Sequence, residues 1–407
     1  MNVYSYPGFR LELGDPVVVA QGDTYEKWEW GPYQFPHLAK TRQGDVYLTF
    51  NGPGTRDDIA DYEGEATPFG AVSEDGGDTW RPLTTSDQPV GIPIADGREY
   101  IPPKAKNGFE ADWLDKYAPD AIRGGTEIDW MPDLYRADRI PEYPRSPEAY
   151  NYDPATGETT AFSMTVNWPH YGFSVYPRGG GNKLVYPMEM IMGGMGMILP
   201  NVDGSMFFCT YQNGFSAETG ELAWKYLVTV LRSDDGGRTW NYLSEVLTPR
   251  ELDNGKAEYE GFCEPYMARM TDGSIIMLMR TGGGCPSYIV RSADECRTWS
   301  EPAVFDSCGV FPQLLHLSCG VTLAGYGRPG VFLRATDDVQ GLRWEAPIDL
   351  NVVNCLGNDW PSSCCYTALL ALNDTTALMA YSHFMYPNAE GVPVKTMLVR
   401  RIRILPA

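Results

Sequence analysis

Apolar residues in this chain fall in short runs of roughly four to eight, broken by clusters of Gly, Pro and Asp. The clearest runs are DVYLTFN (45–51), WKYLVTVLRS (224–233), GSIIMLMR (273–280) and SYIVRS (287–292). They are rich in β-branched and aromatic side chains and bounded by turn-forming residues, so each predicts a strand. Only one short helix is expected, at 110–117 within ADWLDKYAP. No apolar run approaches the roughly 18 residues of a membrane-spanning helix. The pattern therefore predicts an all-β chain of short strands joined by turns.

One unit is written repeatedly. SEDGGDTW (73–80) returns as SDDGGRTW (233–240), as SADECRTW (292–299) and, degraded, as TDDVQGLRW (336–344). The copies starting at 233, 292 and 336 are spaced as single propeller blades of roughly 40–50 residues would space them. The interval from 73 to 233 must hold two or more blades, or a blade with a long insertion. The unit has a mechanical reading. Asp75, Asp235 and Asp294 can cap a turn by accepting from backbone N–H groups. Gly77 and Gly237 can supply positive φ, and Trp80, Trp240 and Trp299 can pack back between sheets. These aspartates therefore read as structural. Residues 88–195 lack the unit and are rich in Pro, Tyr and Asp, which predicts an irregular blade with long loops inside a single domain spanning 1–407.

Composition narrows the function. The 407 residues include 43 Gly and 32 Pro, in keeping with many turns, and carry a formal charge of −21. So acidic a chain is a poor partner for nucleic acid or an anionic membrane, although local arginines can still bind a small anion. All nine cysteines lie between Cys209 and Cys365. An odd, one-sided set, with no basic start and apolar core in MNVYSYPGFRLELGDP, points to reduced thiols and a cytoplasmic location. Cys263 and Cys296 read as buried small hydrophobes. With neither CxxC nor HExxH present, no structural zinc is expected. The glycine runs GGGN (179–182) and TGGGC (281–285) precede no helix and read as turns, not phosphate loops. No cofactor is implied, and nothing bears on oligomeric state.

The repeated unit resembles the Asp-box, or BNR repeat, of sialidases and sialidase-like six-bladed β-propellers. The resemblance covers roughly 34–84 and 195–400. It implies six blades, where five can be counted from the text. Two segments are similar to sialidases beyond the box. In GFCEPYMARMTDGSIIMLMR (261–280), Glu264 matches the glutamate that partners the nucleophile, and Arg280 a carboxylate-binding arginine. In CYTALLALNDTTALMAYS (365–382), Tyr366 matches the tyrosine nucleophile. Between them, in LAGYGRPGVFLRATDD (323–338), Arg328 falls where a further clamp arginine belongs, with Arg334 as its competitor. The chemistry explains the set. The substrate of a sialidase carries a carboxylate on the reacting carbon, which repels an anionic nucleophile but not a phenol activated by a neighbouring Glu. Arginines hold that carboxylate, and an Asp serves as acid and base.

The first blade departs from the family. In YQFPHLAKTRQGDVYLTF (33–50), Gln34 stands where sialidases place their first arginine, and His37 follows Pro36. The loop GTRDDIADYEGEA offers Asp57, Asp58 and Asp61 as acid/base, Asp58 slightly preferred, and Arg56 as a substitute arginine. His170, in NWPHYGF, is a second candidate base or sugar-binding group, and Trp130, Trp168 and Tyr171 are candidate sugar platforms or core. The expected function is a sialidase-like exo-acting glycoside hydrolase that removes a terminal, anionic sugar from a carbohydrate partner. Two alternatives stay open: a propeller-type polysaccharide lyase using His37 or His170 on a uronate, and a non-catalytic glycan-binding propeller.

Overall fold

The computed structural model describes residues 1–23, 32–52, 69–103, 109–110, 112–122, 133–177, 183–185, 197–352 and 364–407. It is all-β, with only short stretches of three-ten helix. Six of its seven sheets among the described residues contain a four-stranded antiparallel blade, two of them widened by extra strands (Thr165–Asn167 in one, Asn2–Ser5 and Val17–Gln21 in the other), which is the six-bladed β-propeller class. The expected strands appear as Val46–Phe50, Leu227–Ser233, Ile275–Arg280 and Ser287–Ser292.

The contacts of the chain group into two compact units. One comprises Met1–Val90, Ala268–Leu278 and Val304–Ala407; the other comprises Gly91–Met267 and Met279–Ala303. The first unit holds blade one (His37–Lys40, Val46–Phe50, Phe69–Ser73, Arg81–Pro82) and blade five (Gln313–His316, Thr322–Gly327, Val331–Thr336, Ile348–Asp349). It also holds blade six, built from Thr367–Asn373, Thr376–Pro387 and Pro393–Pro406 and completed by Phe9–Leu13 from the start of the chain, in a register that sets Phe9 against Pro406 and Leu13 against Ile402. Leu11, Leu13, Leu323, Leu333, Met379 and Ile402 are buried together in one of its cores. Leu48, Leu378, Ala380 and Val399 are buried in another.

The second unit holds blade two (Ile92–Pro93, Glu99–Ile101, Glu148–Asp153, Glu158–Ser163) and blade three (Met197–Pro200, Met206–Gln212, Leu227–Ser233, Thr239–Val246). The long insertion expected around blade two is present within 88–195, and it carries a sheet of its own. Blade two is a regular meander, and the long insertions build a seventh, four-stranded sheet from Phe109–Glu110, Lys183–Val185, Gly172–Pro177 and Asp133–Arg136. Its strands are two to six residues long and paired across distant sequence, which leaves no periodic signal. The short helix is present as three-ten turns over Asp112–Asp120. The core of this unit joins Tyr100 and Ala149 of blade two, Phe208, Leu231 and Trp240 of blade three, and Tyr135 and Phe173 of the added sheet. Blade four, Cys263–Arg269, Ile275–Arg280, Ser287–Ser292 and Ala303–Asp306, has its residues divided between the units.

All four copies of the repeated unit follow the third strand of their blade, and they behave as turns. Asp75 accepts from the backbone N–H groups of Asp78 and Thr79 and from the Thr79 hydroxyl. Asp294 makes the matching bonds to Thr298, Asp235 accepts from the Thr239 N–H, and Asp338 accepts from Leu342 and Arg343. The degraded fourth copy is therefore a working turn. Gly237, at φ 85°, lies so close to Tyr100 of the preceding blade that a Cβ would sit 2.3 Å from its ring. Cys296 takes the same place in the third copy at φ 60° and is fully buried, as is Cys263 at 1 % exposure. The eight described cysteines are all free thiols.

These turns predict acid sensitivity. The Thr79 hydroxyl, followed by backbone N–H groups, holds the Asp75 carboxyl well below the usual carboxylate range, and Thr298 does the same for Asp294. A folded-state pKa below the unfolded value of roughly 3.9 adds stability that is complete above that value and lost as pH falls through the folded pKa. The melting temperature is therefore expected to hold level down to about pH 5 and to fall below about pH 4. A pH series of thermal melts should show a shallower fall for the Asp75→Asn/Asp294→Asn variant. An equally steep fall in that variant would remove these turns as the cause.

Candidate functional site

An antiparallel meander places the start of its first strand and the end of its second at one edge, and the end of its third at the other. Every described catalytic or clamp candidate except His170 and Arg334 lies at the first edge of its own blade. Gln34 and His37 lead into blade one, Glu264 opens blade four and Tyr366 immediately precedes blade six. Arg280 ends the second strand of blade four, and Arg328 follows the second strand of blade five. The repeated turns all occupy the opposite edge. Arg56, Asp57, Asp58, Asp61 and Trp130 lie outside the described residues.

In the first unit the candidates gather around Tyr366, which is 8 % exposed. Phe311 stacks on its ring at 4.8 Å with planes 7° apart, and Phe35 meets it edge-on at 4.9 Å and 78°. The Arg328 guanidinium lies 6.0 Å from the ring centroid and donates from Nη2 to the Cys364 carbonyl at 3.0 Å. Cys364 in turn holds its Sγ 3.0 Å from Ser382 Oγ. Val310, Cys364, Cys365 and Phe384 complete this buried cluster. Its backbone is unusual: Phe35, Phe311, Arg328 and Cys365 all have positive φ, at 53°, 38°, 64° and 64°. Gly327 is closely approached, since a Cβ there would sit 2.7 Å from Cys365 Cβ. Gln34 is fully buried. His37 pairs with Thr49 and is exposed.

Arg334, the competitor of Arg328, is committed elsewhere. It donates to the carbonyls of Glu345, Phe305 and Trp344 and lies 4.8 Å over the Phe305 ring. It fastens blade five beside its repeated turn.

In the second unit, Glu264 and Arg280 are partners. Arg280 Nη1 donates to Glu264 Oε1 at 2.7 Å, and Nη2 lies 3.3 Å from Glu260 Oε2. The Glu264 and Arg280 side chains are 1 % and 12 % exposed. Glu264 also has positive φ, at 47°. Cys263 sits against Glu260 and the Arg280 carbonyl, and burial pushes its thiol far above the ordinary value, so it is not a nucleophile. Glu260 was not legible as a site residue. Its carbonyl accepts from the Tyr226 N–H at 3.0 Å and its N–H donates to the Thr281 carbonyl at 2.8 Å.

His170 belongs to a third cluster. Its Nδ1 is 2.5 Å from Arg136 Nη2, and Arg136 is bidentate to Asp138. Arg136 also lies over Phe215 at 5.0 Å and reaches the Gly220 carbonyl, so these residues tie the added sheet to the loop after the second strand of blade three. Trp168 and Tyr171 are 6 % and 3 % exposed and pack on each other at 4.8 Å. They belong to the core and are not open platforms for a sugar.

No family profile and no curated protein matches this chain. Solved structures do. A protein of unknown function from Dyadobacter fermentans is 17 % identical and superposes over 98 % of this chain and 100 % of its own with a TM-score of 0.59. A Hadza microbial sialidase is 13 % identical over 92 % of this chain and 66 % of its own, with a TM-score of 0.47. An α-L-arabinanase from Penicillium chrysogenum, complexed with arabinobiose, is 12 % identical over 95 % and 98 %, also at 0.47. At such identities the likeness is one of fold.

Proposed function

We propose that this chain is a glycan-acting hydrolase of sialidase type that removes a terminal, anionic sugar. The reading rests on one regularity: Gln34, His37, Glu264, Arg280, Arg328 and Tyr366 all lie at the same edge of their own blades, opposite the structural turns. In this proposal the Tyr366 phenol attacks the anomeric carbon and gives its proton to a base, the role the resemblance assigns to Glu264, which returns it to the phenolate when the tyrosine is displaced. The aglycone oxygen leaves with a proton from Asp58 or Asp57. The same aspartate then takes a proton from water, whose oxygen displaces the tyrosine and releases the sugar with retained configuration. Arg280 and Arg328 hold the anionic group. Gln34, neutral at the first-arginine position, removes one positive charge from the clamp, which favours an acidic sugar other than sialic acid.

The test is hydrolysis of a panel of chromogenic glycosides carrying sialic acid, uronic acids and neutral sugars. The expected result is turnover of an acidic sugar with weak or no action on sialosides. Failure on every glycoside would overturn the reading. The exposed His37, at the same edge of blade one, supports a second reading, β-elimination on a uronate. An unsaturated, ultraviolet-absorbing product from a uronate polymer would select it.

A further inference from the structure

We infer that Phe35 and Phe311 form an aromatic slot whose task is to hold the Tyr366 ring in one orientation, an inference that rests on the nucleophile reading of Tyr366. The two rings come from different blades. Phe35 stands two residues before the first strand of blade one, Phe311 two residues before that of blade five, and Tyr366 one residue before that of blade six. Phe311 covers a face of the tyrosine and Phe35 packs against it T-shaped. A ring held by two others and 8 % exposed cannot flip or tilt freely, which limits where its phenol oxygen can lie.

Ordinary core packing does not account for the backbone. Nineteen described glycines have positive φ, as do ten other described residues, Glu295 and Cys296 of the third repeated turn among them. Phe35 and Phe311 take the left-handed region with a bulky side chain, a conformation that is uncommon for such residues and persists only where the surroundings enforce it. Cys365, the residue before Tyr366, does the same at φ 64°. Arg328, also left-handed, bonds to the carbonyl of Cys364, so the clamp arginine is tied to the segment that carries the tyrosine. Four strained residues around one phenol are best explained by a demand on the position of that phenol. Glycine at Phe35 or Phe311 would relax the backbone and lose the wall. Phe35 and Phe311 are thus positioning residues, acting on the reaction through Tyr366.

The experiment measures steady-state turnover and, separately, the rate at which tetranitromethane nitrates Tyr366, followed by peptide mass mapping. Phe311→Ala is expected to lower kcat by about 100-fold with KM within about twofold, as misplacement of a reacting group does. It should also raise the nitration rate of Tyr366 several-fold. Phe311→Tyr keeps the stack and is expected to restore both. If Phe311→Ala does not fold, Phe311→Leu and Phe35→Leu carry the same comparison. Unchanged nitration and unchanged kcat in the folded variants would overturn the slot. Full turnover by Tyr366→Phe would overturn the nucleophile reading instead, with the nitration rates still deciding whether the slot exists.

Discussion

Tyr366→Phe is expected to lower kcat/KM by about 10,000-fold, the scale seen when a nucleophile is deleted, while leaving the melting temperature almost unchanged. The two halves of this expectation come from the same geometry. Removing the phenol oxygen leaves the ring that stacks on Phe311 and meets Phe35, so the packing at 8 % exposure survives. Only the atom that would form the bond to the anomeric carbon is lost. Sugar binding should persist, because Arg328 keeps its bond to the Cys364 carbonyl. The checks are steady-state kinetics on the best glycoside of the panel, a thermal melt, and calorimetric titration with the released sugar. Activity within tenfold of wild type would remove Tyr366 from the nucleophile role. Sugar binding with no turnover in the wild type itself would indicate a binding propeller.

Arg280→Met is the second large effect, and it falls on stability as well as activity. The guanidinium faces Glu264 at 2.7 Å and Glu260 at 3.3 Å. Removing it takes this ion pair from a carboxylate that is 1 % exposed. Breaking a buried pair in this way costs about 3–5 kcal/mol. Glu264→Gln keeps the shape and a neutral hydrogen bond and should cost much less stability. The double variant, Arg280→Met/Glu264→Gln, should therefore be more stable than Arg280→Met alone, because the buried carboxylate charge is gone. Urea unfolding of the wild type and three variants gives the coupling. Strictly additive losses would show that the pair does not interact in the folded protein. All three variants should lose most turnover, since the proton acceptor, the clamp or both are missing.

The fold was readable because its signals are local. Strands such as Val46–Phe50 and Ile275–Arg280 advertise themselves by alternation and by the turn residues around them. The repeated turn carries its hydrogen bonds within eight residues, so Asp75 and Asp294 could be assigned a structural task before any coordinates. The added sheet was hidden for the opposite reason. Phe109–Glu110 pairs with Lys183–Val185, a contact that neither short segment announces. The site was legible only in part. Glu264 and Arg280 could be marked as site residues, but their bond to each other arises because adjacent antiparallel strands bring residues 264 and 280 level. Arg328 and Arg334 were indistinguishable by type and spacing, and only the three carbonyls around Arg334 separate them. Phe35 and Phe311 left no trace at all, since a ring stacked on a tyrosine far along the chain has no signature nearby.

The strand Phe9–Leu13 has a consequence for how the protein is made. It leaves the ribosome long before its partner, Pro393–Pro406. Arg10 waits for a carbonyl 396 residues away. Until that partner arrives, Phe9, Leu11 and Leu13 are apolar side chains with no sheet to cover them. Blade six cannot be completed until its last strand, Pro393–Pro406, has been made. Closure so distant in sequence is slow, and a waiting apolar strand can be taken by the blade six of a neighbouring chain. Yield on refolding should thus depend on protein concentration more than on the quality of any single blade.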